Sequence, residues 1–242
     1  MAMTSLTPSS ALDLRPFRDS TRALTSLLAP IERRCLIWLA HRMPARVNSD
    51  HLTGLALVSM LGAGGAFWLA RASPAGLWLA VVCLALNWFG DSLDGTLARV
   101  RRQQRPRYGF YVDHVVDALG AVALLGGLGL SGYMSPTVAL MLLSAYLVLC
   151  VEVFLATYSL GSFTMSYFKI GPTELRILLS IGTLVLLSHP TATIAGHTMR
   201  LFDLSGVIGS VGLFGTFLGS AARHVRLLYK ADPIPETPAR QS

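Results

Sequence analysis

Apolar residues run along this chain in long unbroken blocks instead of alternating with polar ones. Six stretches approach the roughly 20 apolar residues that carry a helix across a bilayer: 51–70, 75–98, 108–130, 137–158, 173–189 and 204–228. The first is interrupted only by small residues, and Gly62, Ala63, Gly64 and Gly65 would let a neighbouring helix come close. The fifth is the shortest and stops at Pro190. Ahead of the first span, residues 31–46 (IERRCLIWLAHRMPAR) mix Leu36, Ile37, Trp38 and Leu39 with Arg33, Arg34, Arg42 and Arg46. That pattern suits a helix lying in the membrane interface, with arginines at the phosphates and Trp38 at headgroup level. Residues 1–30 and 231–242 form tails, and the polar, Pro-bearing stretches 1–14 and 231–242 are expected to be disordered. The pattern predicts an all-α membrane protein: a six-transmembrane-helix bundle over 47–230, preceded by an interfacial amphipathic helix.

Composition agrees, since 52% of the residues are hydrophobic and 14% charged, against about 25% charged in a soluble domain. The net charge of +7 suits nucleic acid, anionic headgroups or polyphosphate substrates, so the placement of the charges decides. With both termini cytoplasmic, only Arg71 and Arg200 of the 20 Lys and Arg residues fall in external loops, a strong positive-inside asymmetry. Basic residues that track topology in this way argue against a nucleic-acid binder. Cys35, Cys83 and Cys150 show no CxxC spacing and read as small apolar fillers, not as a disulfide framework or zinc site. The polar N-terminus lacks the charged start and apolar core of a cleaved signal peptide.

Against this background the run NWFGDSLDGTLARVRRQQRPRYGFYVDHVVDALG stands out, because it puts Asp91, Asp94, Asp113 and Asp117 in or beside the second and third spans. A carboxylate at membrane depth costs several kcal/mol on insertion scales, so such acids are read as functional unless a partner explains them. Asp91 with Asp94, and Asp113 with Asp117, are spaced to share a helix face, and the short loop between the two spans puts both pairs at similar depth. Four hard oxygen donors in that arrangement fit Mg²⁺ or Mn²⁺, and two ions neutralise the charge better than one. Between the pairs lie Gly95, Ala98 and Arg99, two small residues where a bulky ligand can approach the backbone and one permanent cation. Gly109 is similarly permissive at the start of the next helix. A metal-bound diphosphate is the natural occupant. Arg101, Arg102, Arg105 and Arg107 rim the loop, where topology alone would also place them.

Asp91, Asp94, Gly95, Ala98, Arg99, Gly109, Asp113 and Asp117 together resemble the signature of the CDP-alcohol phosphotransferase (CDP-alcohol phosphatidyltransferase) family, with all eight positions filled. The loop between Arg99 and Gly109 is one residue longer than the usual pattern, the extra residue falling near Pro106. The resemblance implies that Asp91, Asp94 and Asp113 are metal ligands, and that the segment from Asp94 through Arg99, with Gly109, contacts the cytidine diphosphate. It implies that Asp117 is a ligand and the catalytic base that deprotonates the acceptor hydroxyl. It also implies a homodimer, while the positive-inside count puts the active site toward the cytoplasm. The reaction implied is transfer of a phosphatidyl group from CDP-diacylglycerol to a polar alcohol with release of CMP. The alternative is a choline- or ethanolamine-type enzyme moving the phosphobase to a lipid alcohol, which the Asp113-His114-x-x-Asp117 run also resembles.

Other positions carry weaker signals. His114 points to a different helix face from the aspartates, so packing or a supporting hydrogen bond suits it better than ligation. Glu152 lies near the depth of the aspartates, serving an acceptor pocket or satisfied by a neighbouring helix. Lys169 and Arg176 flank the entrance of the fifth span and could meet a phosphate, while Thr173 and Glu174 could simply begin the helix after Pro172. Trp68, Trp78 and Trp88 read as belt or packing residues. Rival readings fare worse: an aromatic prenyltransferase needs two separated aspartate motifs, and a membrane transporter has no use for the glycine-alanine-arginine framework. No internal repeat supports an inverted-repeat transporter either.

Overall fold

The structure, a computed structural model, describes residues 28–160, 171–194 and 196–234. Most of both expected tails, and Lys169, lie outside the described residues. Among these are seven helices: α1 (Ala29–Arg42), α2 (Ser49–Ala70), α3 (Ala75–Val100), α4 (Pro106–Leu130), α5 (Pro136–Leu160), α6 (Pro172–Val185) and α7 (Leu201–Ala231). Proline sets several starts, with Pro30, Pro106, Pro136 and Pro172 each in a first turn, where its missing N–H is not needed. Asn48 caps α2 reciprocally: its side chain accepts the His51 N–H, and the His51 ring accepts the Asn48 N–H. The helix expected at 31–46 is α1, which starts a little earlier and ends ahead of Pro44, a residue that bars continuation.

α2, α3 and α4 form the centre of the bundle. At one point the backbones of α2 and α4 touch: a Cβ on Gly127 would run into the Gly64 carbonyl, and one on Gly64 into the Ala123 carbonyl. Only glycine allows that approach, which is what the Gly62–Gly65 stretch suggested. Phe67, Leu77, Leu84 and Leu128 fill one half of the core with Leu186 and Phe202, which follow α6 and open α7. At the other end Leu36 and Ala40 of α1 pack with Leu52, Leu93 and Leu97. Many large apolar side chains face outward, among them Trp68, Trp78, Leu140, Leu155, Ile208 and Val211, as expected where the solvent is lipid.

Five helices, α2, α3, α4, α5 and α7, are long and apolar enough to cross a membrane. The remaining expected span, the fifth at 173–189, is α6, whose 14 residues reach only about 21 Å at 1.5 Å per residue, short of the roughly 30 Å hydrocarbon core. Nor are the described residues wholly helical. After α6 a small antiparallel hairpin, β1 (Thr191–Ile194) with β2 (His197–Arg200), turns at Gly196 with φ +80°. β-branched residues in β1 and a glycine at the reversal favour this local form, and four-residue strands are too short to leave a pattern among longer apolar runs.

Candidate active site

The eight signature residues lie on the C-terminal half of α3 and the first turns of α4, joined by the loop Arg101–Arg105. Arg102 adopts φ +56° just after α3 ends, and α4 starts already at Pro106, so the longer loop is drawn into a tight reversal. The basic rim is partly structural. Arg101 donates to the carbonyls of Val47, Met43 (2.9 Å) and Pro44 (3.0 Å), tying the loop to the α1–α2 connection. Arg105 pairs with Asp50 and stacks over Tyr108.

Each aspartate of α3 is held differently. Asp94 accepts a 2.6 Å hydrogen bond from the Thr53 hydroxyl and another from the Gly95 N–H, while Ser49 donates to its main-chain oxygen at 3.0 Å. Asp91 is ion-paired with Arg176 of α6 at 2.6 Å, both side chains being largely buried. The charges of Asp91 and Asp113 both act on Asp94, so the two α3 carboxylates and the first of α4 share one region. Asp117 lies further along α4 on its exposed side. There it is electrostatically coupled to Tyr146 and Cys150 of α5, which are hydrogen-bonded to each other, and Tyr146 is also coupled to Arg176.

Around these acids the backbone stays open. A Cβ on Gly95 would meet only the Arg99 guanidinium, and one on Gly109 nothing within 4 Å. Ala98 is half-buried and Arg99 exposed, its guanidinium held 3.0 Å from the Thr96 hydroxyl. His114 packs as expected: it is buried between Phe110 and Phe154, with Nδ1 2.6 Å from the Phe110 carbonyl. Glu152 is buried and satisfied by α7, through His224 at 2.6 Å and Ser220 at 3.0 Å. Glu152 and His224 line an apolar groove of about 490 Å³ between α5 and α7.

Among the described residues no three His, Cys, Asp or Glu side chains are gathered closely enough to hold an ion as they stand. The donor set nevertheless has the right chemistry. It comprises four carboxylates from two successive helices, hard oxygens suited to Mg²⁺ or Mn²⁺, with one of them already neutralised by a cation, Arg176. Sequence reasoning missed Thr53, Ser49 and Tyr146, and left open whether Arg176 belonged to the site. Ser49 and Thr53 are spaced four apart on one face at the start of the first span, the one trace that could have pointed to them.

The family model described as CDP-alcohol phosphatidyltransferase matches residues 49–218, and the chain belongs to that family of transferases. Among solved structures it is similar to the phosphatidylinositol phosphate synthase PgsA1 of Mycobacterium tuberculosis, crystallised with CDP-DAG bound. The identity is 20% and the TM-score 0.49, with 89% of this chain and 98% of that one covered. No curated protein matches the sequence at a significant level. Membership of a transferase family leaves the transporter and prenyltransferase readings without support.

Proposed function

We propose that this protein transfers a phosphatidyl group from CDP-diacylglycerol to a polar alcohol and releases CMP. One observation carries the reading: Asp91 and Asp94 of α3 share a region with Asp113 of α4, in a chain of the CDP-alcohol phosphatidyltransferase family. Asp91, Asp94 and Asp113, with Asp117 as a fourth ligand, would hold two Mg²⁺ or Mn²⁺ ions. When bound, the ions offset charge on the diphosphate as CMP departs.

The remaining work falls to the chain's own residues. Gly95, Ala98 and Gly109 leave the backbone accessible to the cytidine diphosphate, and Arg99 supplies a cation at its edge. Asp117, on the exposed side of α4, takes the proton of the acceptor hydroxyl. The hydroxyl oxygen then bonds to the β-phosphorus, and the bond from that phosphorus to the bridging oxygen breaks, so that CMP leaves carrying the oxygen. Arg176 adds a donor, since its NH1 is buried without a hydrogen-bond partner.

The finer architecture belongs to the same reading. α6 begins beside Asp91 and is followed by Leu186 in the core cluster around Phe67, which supports it as a sixth crossing completed by the turn that continues it. α1 lies in the interface, with Trp38 and Arg42 stacked at 3.8 Å on its exposed side. The site and both termini face the cytoplasm by the positive-inside asymmetry, and the protein works as a homodimer by family resemblance. The phosphobase alternative is not favoured, because His114, the residue that suggested it, is engaged in packing.

The test is CMP release by purified protein in lipid nanodiscs, given CDP-diacylglycerol with a panel of polar alcohols, or CDP-choline with diacylglycerol. Release is expected only from CDP-diacylglycerol and only with Mg²⁺ or Mn²⁺. Full activity in excess EDTA, or preference for CDP-choline, overturns the assignment.

A further inference from the structure

The site is fixed to the interfacial helix through one carboxylate. Glu32 of α1 occupies the same face as the buried Leu36 and Ala40, at four-residue intervals. Its Oε1 accepts three hydrogen bonds from two other helices: the Trp88 indole N–H at 2.9 Å and the Ser92 hydroxyl at 3.2 Å, both on α3, and the Thr173 hydroxyl at 2.6 Å on α6. A second carboxylate reinforces the junction in the opposite sense. Glu174 of α6 accepts the Gly171 N–H at 2.9 Å, closing its own helix start, and the Leu28 N–H at 3.1 Å, immediately ahead of α1.

The position of this junction gives it functional weight. Ser92 is the residue after Asp91, and Thr173 is one helical turn before Arg176, so the two groups that Glu32 joins flank the two members of the Asp91–Arg176 pair. α6 is short and lies against α3, tied to it at the site by the Asp91–Arg176 pair, so the spacing of the two helices there depends on what fixes the start of α6. A half-buried carboxylate receiving three donors is a rigid fixture, because leaving those donors unpaired would cost more than any one bond contributes.

We infer that Glu32 is a positioning residue for the transfer reaction: it sets the placement of α6 against α3 and thereby holds Arg176 at Asp91. α1 then does more than rest at the membrane surface, because a displacement of this helix by the lipid around it is passed to the site through Glu32. The inference rests on the reaction proposed above only for its activity readout.

The experiment uses the full chain in nanodiscs, with Glu32→Ala, Glu32→Gln, Thr173→Val and Arg176→Ala, and two independent readouts. In hydrogen exchange, amides at the start of α6 are expected to exchange on the order of tenfold faster in Glu32→Ala. Glu32→Gln, which keeps the accepting oxygen, should restore protection, and Thr173→Val should fall between. In CMP release, Glu32→Ala is expected to lower kcat on the order of tenfold with a smaller change in KM. Added to Arg176→Ala it should lower turnover little further, because both changes act through one contact. Unchanged exchange in Glu32→Ala, additive losses in the double variant, or no rescue by Glu32→Gln overturns the inference. Should the wild-type chain release no CMP at all, the proposed reaction falls, and the exchange measurements still decide the role of Glu32 as a clamp.

Discussion

Thr53→Val is a narrow perturbation of the candidate metal site, because it replaces one hydroxyl by a methyl of similar size and leaves every carboxylate in place. The hydroxyl donates to Asp94 Oδ2 at 2.6 Å from the first turns of α2, so its loss frees Asp94 to rotate and removes a donor from a charged acceptor. A hydrogen bond to a charged group contributes about 1.5–3 kcal/mol, and since 1.4 kcal/mol is a factor of ten, the range spans roughly 10- to 150-fold. Asp94 keeps the Gly95 N–H and the region is only half-buried, so the lower end applies: about tenfold weaker activation by metal. The assay is a Mg²⁺ or Mn²⁺ titration of CMP release, beside calorimetric binding of CDP-diacylglycerol. Thr53→Ser should return the midpoint to wild type. An unshifted metal midpoint in Thr53→Val would refute both the buttressing role of Thr53 and the place of Asp94 among the ligands.

Two further outcomes separate the roles of individual residues. Asp117→Asn should lower turnover on the order of 10²-fold while CDP-alcohol binding survives, whereas Asp94→Asn should lose binding and turnover together; equal losses of affinity, measured by calorimetry in the presence of metal, would leave Asp117 a ligand and not the base. Gly127→Leu should destabilise the bundle by about 1–3 kcal/mol or more through overpacking, because its side chain must enter the α2 backbone at Gly64. Gly126→Ala, with nothing within 4 Å of its new methyl, should leave the thermal midpoint in detergent unchanged, and equal behaviour of the two would contradict the close helix contact.

Much of this architecture was legible because lipid makes certain residues conspicuous. Apolar runs located α2, α3, α4, α5 and α7 to within a few residues, and small residues at Gly62–Gly65 foretold the approach of α4. Four aspartates in such a chain carry a cost that marks them, on sequence alone, as a candidate site. What failed to show was everything with ordinary cost. Thr53 and Ser49 are common in the first turn of a helix, and Tyr146 is one aromatic in an apolar span. The hairpin at 191–200 is too short for its alternation to register, and an apolar run ending at Pro190 reads the same whether its last residues are helical or, as at 186–188, form a turn. Glu32 escaped notice because one acid among the arginines of an interfacial helix looks solvated, and only tertiary structure brings Trp88, Ser92 and Thr173 to the same oxygen.

The way three of the aspartates, Asp91, Asp94 and Asp117, are supported fits the division of labour proposed for them. Asp91 and Asp94 are each held by a side chain from another helix, Arg176 from α6 and Thr53 from α2. A ligand that must keep its place while a diphosphate enters and leaves needs such external support, since unsupported carboxylates would move apart under their mutual repulsion. Asp117 stands at the exposed side of α4, with Tyr146 and Cys150 of α5 as its neighbours. A base has the opposite requirement, because it must reach a hydroxyl that arrives from outside and then release the proton. Rigid support for the inner pair and access for the outer acid are thus what metal binding and proton transfer each demand, and the same helix spacing that brings the acids together keeps those two environments apart.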